Sequence, residues 1–323
     1  MGNITVAVLG AIGYSNSLGK KGTSTDITFY NLKKGGDTVT FIEPTRYPER
    51  LAPLFYAISL AKKAIVVVDE INAALGECLV MLQCAEIKSG YIIPRNYIHK
   101  EKIGTLLKGT NLEKYEIIND DPNQIREQLL TEASKQKAAR LEVGQQSFGT
   151  VQVDHAFNVK GVGAVILGIV TSGIIQKHAM LNVLPAGKPT QVRSIQKHDD
   201  EFDLSSEGDR VGLALKNIEV EDLDRGVALT NDPSTKTSSI LQTHASLVKY
   251  WQTPIKQGMV MHLGHWTQFI TAKVEAVEDT GDSRKPTLTL ALDKPLVYQP
   301  NNKAILMYLE GPKLRVAGTI KLS

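Results

Sequence analysis

The sequence predicts an α/β domain built on a parallel sheet, followed by two all-β barrels. Three observations carry that expectation. Strand-like apolar runs alternate with helical patterns up to about residue 140, the arrangement that buries a parallel sheet between helices. From Val151 the hydrophobic period changes to two, with turn residues at close spacing, as in small barrels. Two polar stretches, residues 140–150 and the Thr/Ser-rich 232–239, divide the chain, so domains are expected at 1–144, 150–233 and 239–323.

The elements follow in order. Residues 4–9 (ITVAVL) form a continuous apolar run, expected of a strand covered on both faces. It ends at Gly10, and GAIGYSNS (10–17) stands where a phosphate-binding loop lies between a first strand and a first helix. Residues 38–42 read as a second buried strand, cut by Glu43-Pro44. Leu51, Leu54, Phe55 and Ile58 then recur at helical spacing. Residues 64–68 (AIVVV) give a third strand, and Leu75, Cys78, Leu79 and Leu82 a second helix. Residues 91–93 and 115–118 supply two more strands. Asp121-Pro122 starts a polar helix running to about Ala139, with Asp as cap and Pro in the first turn. Ligands of such sheets bind at the carboxyl ends of the strands, here near 10–17 and 43–47.

In the second half, strands are expected at 150–157, 164–170, 180–184, 190–196 and 210–215, and then at 259–262, 268–277, 287–292, 304–309 and 316–322. Turns fall at 161–163, 187–188 and 207–208.

The chain has 323 residues, 42% hydrophobic and 22% charged, with a net charge of +3. That is ordinary globular composition, and the charge is too small to announce nucleic-acid binding, which a local patch can still perform. Two cysteines, Cys78 and Cys84, fit no zinc or redox spacing and are expected as buried, reduced thiols. No apolar run reaches bilayer length and no signal-peptide pattern opens the chain, so a cytoplasmic, monomeric protein without membrane contact is expected.

An α/β domain followed by two barrels is the order of domains in translational GTPases, and several sequence blocks carry that resemblance. VDHAFNVKGVGAVILGIVTSGIIQ (153–176), followed by QVRSIQKH, GDRVGLAL and DLDRGVALTND, resembles the second domain of the elongation factor Tu family. It is most similar to the selenocysteine-specific elongation factor SelB in its archaeal form. PIKQGMVMHLGHWTQFITAKV and the segment 294–322 resemble the third domain. The resemblance implies a P-loop-type G domain with a parallel sheet followed by two all-β barrels.

In that family the nucleotide site needs Gly-x-x-x-x-Gly-Lys-Ser/Thr, whose amides cradle phosphates, whose Lys neutralises them and whose hydroxyl binds Mg²⁺. Gly10 and Ser17 match. Ser15 stands in place of the second Gly and Asn16 in place of the Lys. A short neutral amide cannot replace a long cation, and one charge-assisted contact is worth about 1.5–3 kcal/mol. The switch segment is compressed to KKGTSTDI (20–27), with Ser24 where the Mg²⁺-reaching Thr belongs. The Asp-x-x-Gly-His element reads Glu43-Pro44-Thr45-Arg46-Tyr47, with the carboxylate kept as Glu43, Arg46 for Gly and Tyr47 for His. The guanine-reading motif is replaced by Pro94-Arg95-Asn96-Tyr97. These departures imply a pseudo-GTPase, with no cofactor expected and GTP/Mg²⁺ doubtful. Arg46 is placed to enter the phosphate pocket as a built-in cation, or else to stand as a solvated surface charge.

The resemblance also implies an aminoacyl pocket in the second domain, at Asp154, His155, Gln196 and Arg210. A cation beside a carboxylate suits an anionic or strongly polar aminoacyl group; as a plain surface pair it would contribute little. His262 and His265 with Trp266 suggest a metal or stacking site but lack a third ligand nearby. Lys20-Lys21, Lys33-Lys34 and Lys62-Lys63 are candidate phosphate contacts. The expected function is therefore a SelB-like, tRNA- or aminoacyl-tRNA-binding protein, with the ribosome as a further partner. A divergent GTP-hydrolysing factor and a protein-interaction scaffold stand as alternatives.

Overall fold

The structure, a computed structural model, describes residues 2–141, 148–198, 200–311 and 314–323. Two compact units emerge: residues 1–144 together with 310–316, and residues 145–309 together with 317–323. Most of the first expected linker lies outside the described residues.

The first unit is built on β1 (Gly2–Leu9), β2 (Lys20–Ser24), β3 (Thr28–Lys34), β4 (Asp37–Glu43), β5 (Lys63–Val68), β6 (Gly90–Pro94) and β7 (Glu116–Ile117). They form one seven-stranded sheet in the order β2-β3-β4-β1-β5-β6-β7. All eight residues of β1 are buried, as its unbroken apolar run requires. The helices are α1 (Ala52–Ser59), α2 (Ala73–Cys84), α3 (Lys100–Leu107) and α4 (Pro122–Leu141). Ile125, Leu129, Leu130 and Ala133 of α4 pack with Val6, Val8, Val39 and Phe41 in one core cluster. Each such side chain contributes roughly 1.5–3 kcal/mol on burial. The Asp121 carboxylate accepts the N–H groups of Asn123 and Gln124 at 3.0 and 3.1 Å, capping α4 where the sequence placed its start.

Two expectations for this unit need correction. The sheet is mixed: β4, β1, β5, β6 and β7 are parallel, but β2, β3 and β4 pair antiparallel. In addition, no helix follows β1. A four-residue 3-10 turn, Tyr14–Ser17, stands there instead and leads within three residues to β2. The chain then forms the antiparallel strands β2, β3 and β4 before its first α-helix, α1. α3 went unpredicted because only Ile103 and Leu107 are buried in it, too few positions to show a period.

The second unit holds both barrels. β8 (Gly149–Val159), β9 (Gly163–Gln176), β10 (Met180–Leu184), β11 (Lys188–Lys197), β14 (Arg210–Lys216) and β15 (Ala228–Thr230) close in a ring, with β12 (Asp200–Phe202) and β13 (Leu204–Ser206) added outside it. The last barrel is β16 (Lys236–Leu247), β17 (Val260–His265), β18 (Gln268–Glu278), β19 (Thr287–Tyr298), β20 (Lys303–Met307) and β21 (Val316–Lys321), closed in the order β16-β19-β18-β17-β20-β21. Closure leaves neither ring an open sheet edge. β16 begins inside the expected second linker, because its exposed Thr and Ser residues read as loop while their alternation builds an outward strand face. Thr267 Oγ1 donates to the Val153 carbonyl at 3.0 Å, joining the two barrels.

Candidate functional site

The loop after β1 is organised around a carboxylate. Gly13 N–H donates to Glu43 Oε2 at 2.9 Å and Ser15 N–H to Glu43 Oε1 at 2.6 Å. Glu43, at the end of β4, is 2% exposed, and the Tyr30 hydroxyl also hydrogen-bonds to it. The amides that a phosphate would need are thus directed at an internal anion of the same sign. Ser17 Oγ donates to the Tyr14 carbonyl at 2.7 Å and Asn16 Nδ2 to the Gly13 carbonyl at 2.9 Å, so both side chains brace their own turn. Ser24 Oγ lies 2.9 Å from Thr28 Oγ1 in the β2–β3 pair. The residues present do not fit a Mg²⁺-bound phosphate.

Gly10 keeps its identity for a different reason. Its φ is +90°, and a Cβ there would lie 2.0 Å from the Val67 carbonyl oxygen. Gly13 takes the second left-handed position at φ +83°, so Ser15 meets no backbone strain in the 3-10 turn.

The turn after β4 separates two residues that the sequence grouped together. Arg46 is exposed and does not line the adjoining cavity, which matches the surface charge of its two sequence readings and not the cation in the phosphate pocket. The Tyr47 hydroxyl points inward and donates to the Ala74 carbonyl at 2.7 Å; the residue is 7% exposed. Burial, then the neighbouring Cys78 and Glu77, push its phenol well above the ordinary range. Arg315 caps this region. Its backbone N–H and Nε donate to Glu77 Oε1 at 2.9 and 3.1 Å, and another guanidinium nitrogen reaches Glu77 Oε2.

Where a guanine-reading motif belongs, Arg95 Nε lies 3.1 Å from Asp69 Oδ1 and 3.7 Å from Asp120 Oδ2. The Tyr14 hydroxyl donates to Asp120 Oδ1 at 2.6 Å, while Tyr97 is fully exposed. The carboxyl ends of β1, β5, β6 and β7 are therefore laced together by the chain's own charges. Sequence reading missed Tyr30, Asp120 and Arg315 because each is distant in sequence from the group it contacts.

The barrel residues converge on Asp154. It sits at a register irregularity between Val153 and His155 on β8, the kind of bulge that re-aims a side chain. Its carboxylate takes Arg210 in a bidentate pair, Nη1–Oδ2 2.5 Å and Nη2–Oδ1 3.2 Å, and His155 Nδ1 lies 2.5 Å from Oδ1. Burial pushes the Asp154 carboxyl up, but the Arg210 guanidinium and the His155 contact outweigh it, so the net displacement is downward. Arg225 Nε donates to the Asp154 carbonyl at 3.2 Å.

Gln196 is not in this cluster. Pairing runs His155–Leu167, Leu167–Gly212 and Gly212–Gln196 across β8, β9, β14 and β11. Three strand spacings separate Gln196 from His155, about 14 Å. Leu167 and Gly212 stand between them in the register.

The remaining candidates resolve separately. His265 is 5% exposed, with Nδ1 3.1 Å from the Lys303 carbonyl and Nε2 without a hydrogen-bond partner; burial pulls its pKa down to about 4. Among the described residues no three His, Cys, Asp or Glu groups are placed to hold a metal. Lys34 pairs with Glu127 and Lys63 with Glu132, both at short range, so these lysines anchor α4. Cys78 and Cys84 are buried, and among the described residues neither is in a disulfide. Among the described residues no helix is long and apolar enough to cross a membrane.

Residues 163–230 match the family model for elongation factor Tu domain 2. The protein MJ0325 of Methanocaldococcus jannaschii, described as uncharacterized, is 36% identical over the full length of both chains. The selenocysteine-specific elongation factor of the same organism is 24% identical over 93% of this chain and 71% of its own. Among solved structures, the elongation factor SelB of Methanococcus maripaludis in complex with the GTP analogue GppNHp superposes with a TM-score of 0.81 at 20% identity, over all of this chain and 79% of that one.

Proposed function

We infer that this chain, which belongs to the SelB-like family of translation elongation factors, is a pseudo-GTPase that binds aminoacyl-tRNA without a nucleotide cycle. The observation that carries this reading is the Glu43 carboxylate on the Gly13 and Ser15 amides. A phosphate entering that loop would have to displace a buried anion, and Asn16 brings no cation to compensate. Without a γ-phosphate to order and release switch loops, the protein holds one conformation.

The barrel supports the RNA side of the reading. Asp154, His155 and Arg210 stand together on β8 and β14, with Gln196 two strands beyond Leu167 in the register. Arg210 already spends two donors on Asp154, so this cluster suits a strongly polar aminoacyl side chain better than an anionic one. Contacts to the rest of the tRNA would be to backbone and acceptor end, with the ribosome a further partner and the cytoplasm the place of action.

The test is protection of the aminoacyl ester. Equimolar protein should slow hydrolysis of at least one aminoacyl-tRNA with no GTP present, and calorimetric titration with GTP should give no heat. Unchanged hydrolysis across a full tRNA panel rejects the reading; GTP-dependent protection replaces it with a divergent GTPase.

A further inference from the structure

The cavity at the carboxyl ends of β1, β4 and β5 has a volume of about 310 Å³, the size of a small-molecule site. Its chemistry is opposite to that of a phosphate pocket. One wall is aliphatic, from Val8, Ile12, Val67 and Leu75, and no Lys, Arg or His lines it. Three carboxylates do: Glu43, Asp69 and Glu70.

Their charges are incompletely balanced. Glu43 is buried, and its partners are two backbone amides and the Tyr30 hydroxyl, all uncharged. Asp69 shares the single guanidinium of Arg95 with Asp120. Glu70 is exposed at the rim and accepts a hydrogen bond from a neutral amide, Asn72 Nδ2, at 3.3 Å. A buried carboxylate facing a void with no counter-cation favours entry of positive charge. A metal ion is a poor match, because among the described residues no three ligating groups converge, and aliphatic walls offer it nothing. Covalent chemistry is also disfavoured, since burial pushes the Cys78 thiol up to about 12 and keeps it neutral.

We propose that this cavity binds a small organic cation, an alkyl amine or guanidine whose carbon body lies on the Val8–Val67–Leu75 wall and whose charged head meets Glu43 and Glu70. The former anion cradle has become a cation site, because the carboxylate that fills it brings its charge to the cavity. The inference is independent of tRNA binding.

Calorimetry and thermal melting of the full chain at low salt, with spermidine and agmatine as probes and pyrophosphate and MgCl₂ as comparators, provide the test. At least one amine should bind with one-to-one stoichiometry, and neither comparator should. Glu70→Gln, at an exposed position, should weaken that amine about five- to tenfold, and Ala11→Met, which narrows the cavity, should weaken it further, both with melting temperatures near wild type. No binding of either amine at millimolar concentration, equal binding to all three proteins, or preferential binding of pyrophosphate or Mg²⁺ would each overturn the proposal.

Discussion

The Glu43 carboxylate sits 2.6 Å from the backbone nitrogen of Ser15, inside the loop that follows β1. Charge-assisted hydrogen bonds of this kind contribute about 1.5–3 kcal/mol each, and Glu43 makes two to the loop. Glu43→Ala should therefore lower stability by about 3 kcal/mol in urea unfolding. It should also free the two amides, so pyrophosphate should raise the melting temperature of the variant and leave wild type unmoved. On the proposed reading neither wild type nor variant should hydrolyse GTP, because Asn16 brings no cation to the loop.

Asp154 and Arg210 form a buried pair, with side-chain exposures of 0% and 11%. Asp154→Ala leaves the guanidinium without that carboxylate and should cost roughly 3–5 kcal/mol. Asp154→Ala/Arg210→Met should recover part of that loss in a double-mutant cycle.

The same pair fixes the acid response. The native Asp154 carboxyl titrates below its ordinary value, so its contribution is complete above the unfolded value near pH ~3.9 and is lost as pH falls through the lower native one. Asp154→Asn should flatten the decline of the urea midpoint below about pH 4, relative to wild type.

His265 acts in a different window. Its native pKa of about 4 lies below the unfolded value of 6.5, so the neutral ring favours the fold above that unfolded value and the contribution fades as pH drops toward the native one. Wild type should lose about 2 kcal/mol between about pH 7 and 5, measured by urea unfolding. His265→Phe should show much less dependence over that interval.

Glu77 is 4% exposed and meets three donors of Arg315. Arg315→Ala removes both guanidinium contacts and leaves Glu77 the backbone N–H, and should cost about 3 kcal/mol in thermal or urea unfolding of the first unit. Glu77→Gln, which keeps shape and removes charge, should cost less, and the difference measures the ionic part of the contact.

Much of this protein was legible in one dimension. ITVAVL and AIVVV read as covered strands because a strand buried on both faces must be apolar throughout, and both are central in the sheet. The barrel strands followed from period two, since alternate side chains of a closed sheet face one core. That Asn16 and not a lysine follows Ser15 could also be read directly.

What the tertiary structure decided are relationships between distant residues. No local pattern says that Glu43 turns back onto Gly13 and Ser15, that Arg46 faces solvent while its neighbour Tyr47 is buried, or that Asp154 gathers both His155 and Arg210. Strand pairing sets those distances, and pairing depends on the whole sheet. The edge strand β2 is a further case: its five exposed, mostly polar residues carry no burial signal, and it is placed by pairing with β3. The residue types of the loop at Gly10–Ser17 could be read from the sequence. Only the packed structure determined that the Glu43 carboxylate sits on the Gly13 and Ser15 amides, because a buried amide must find its acceptor somewhere in three dimensions.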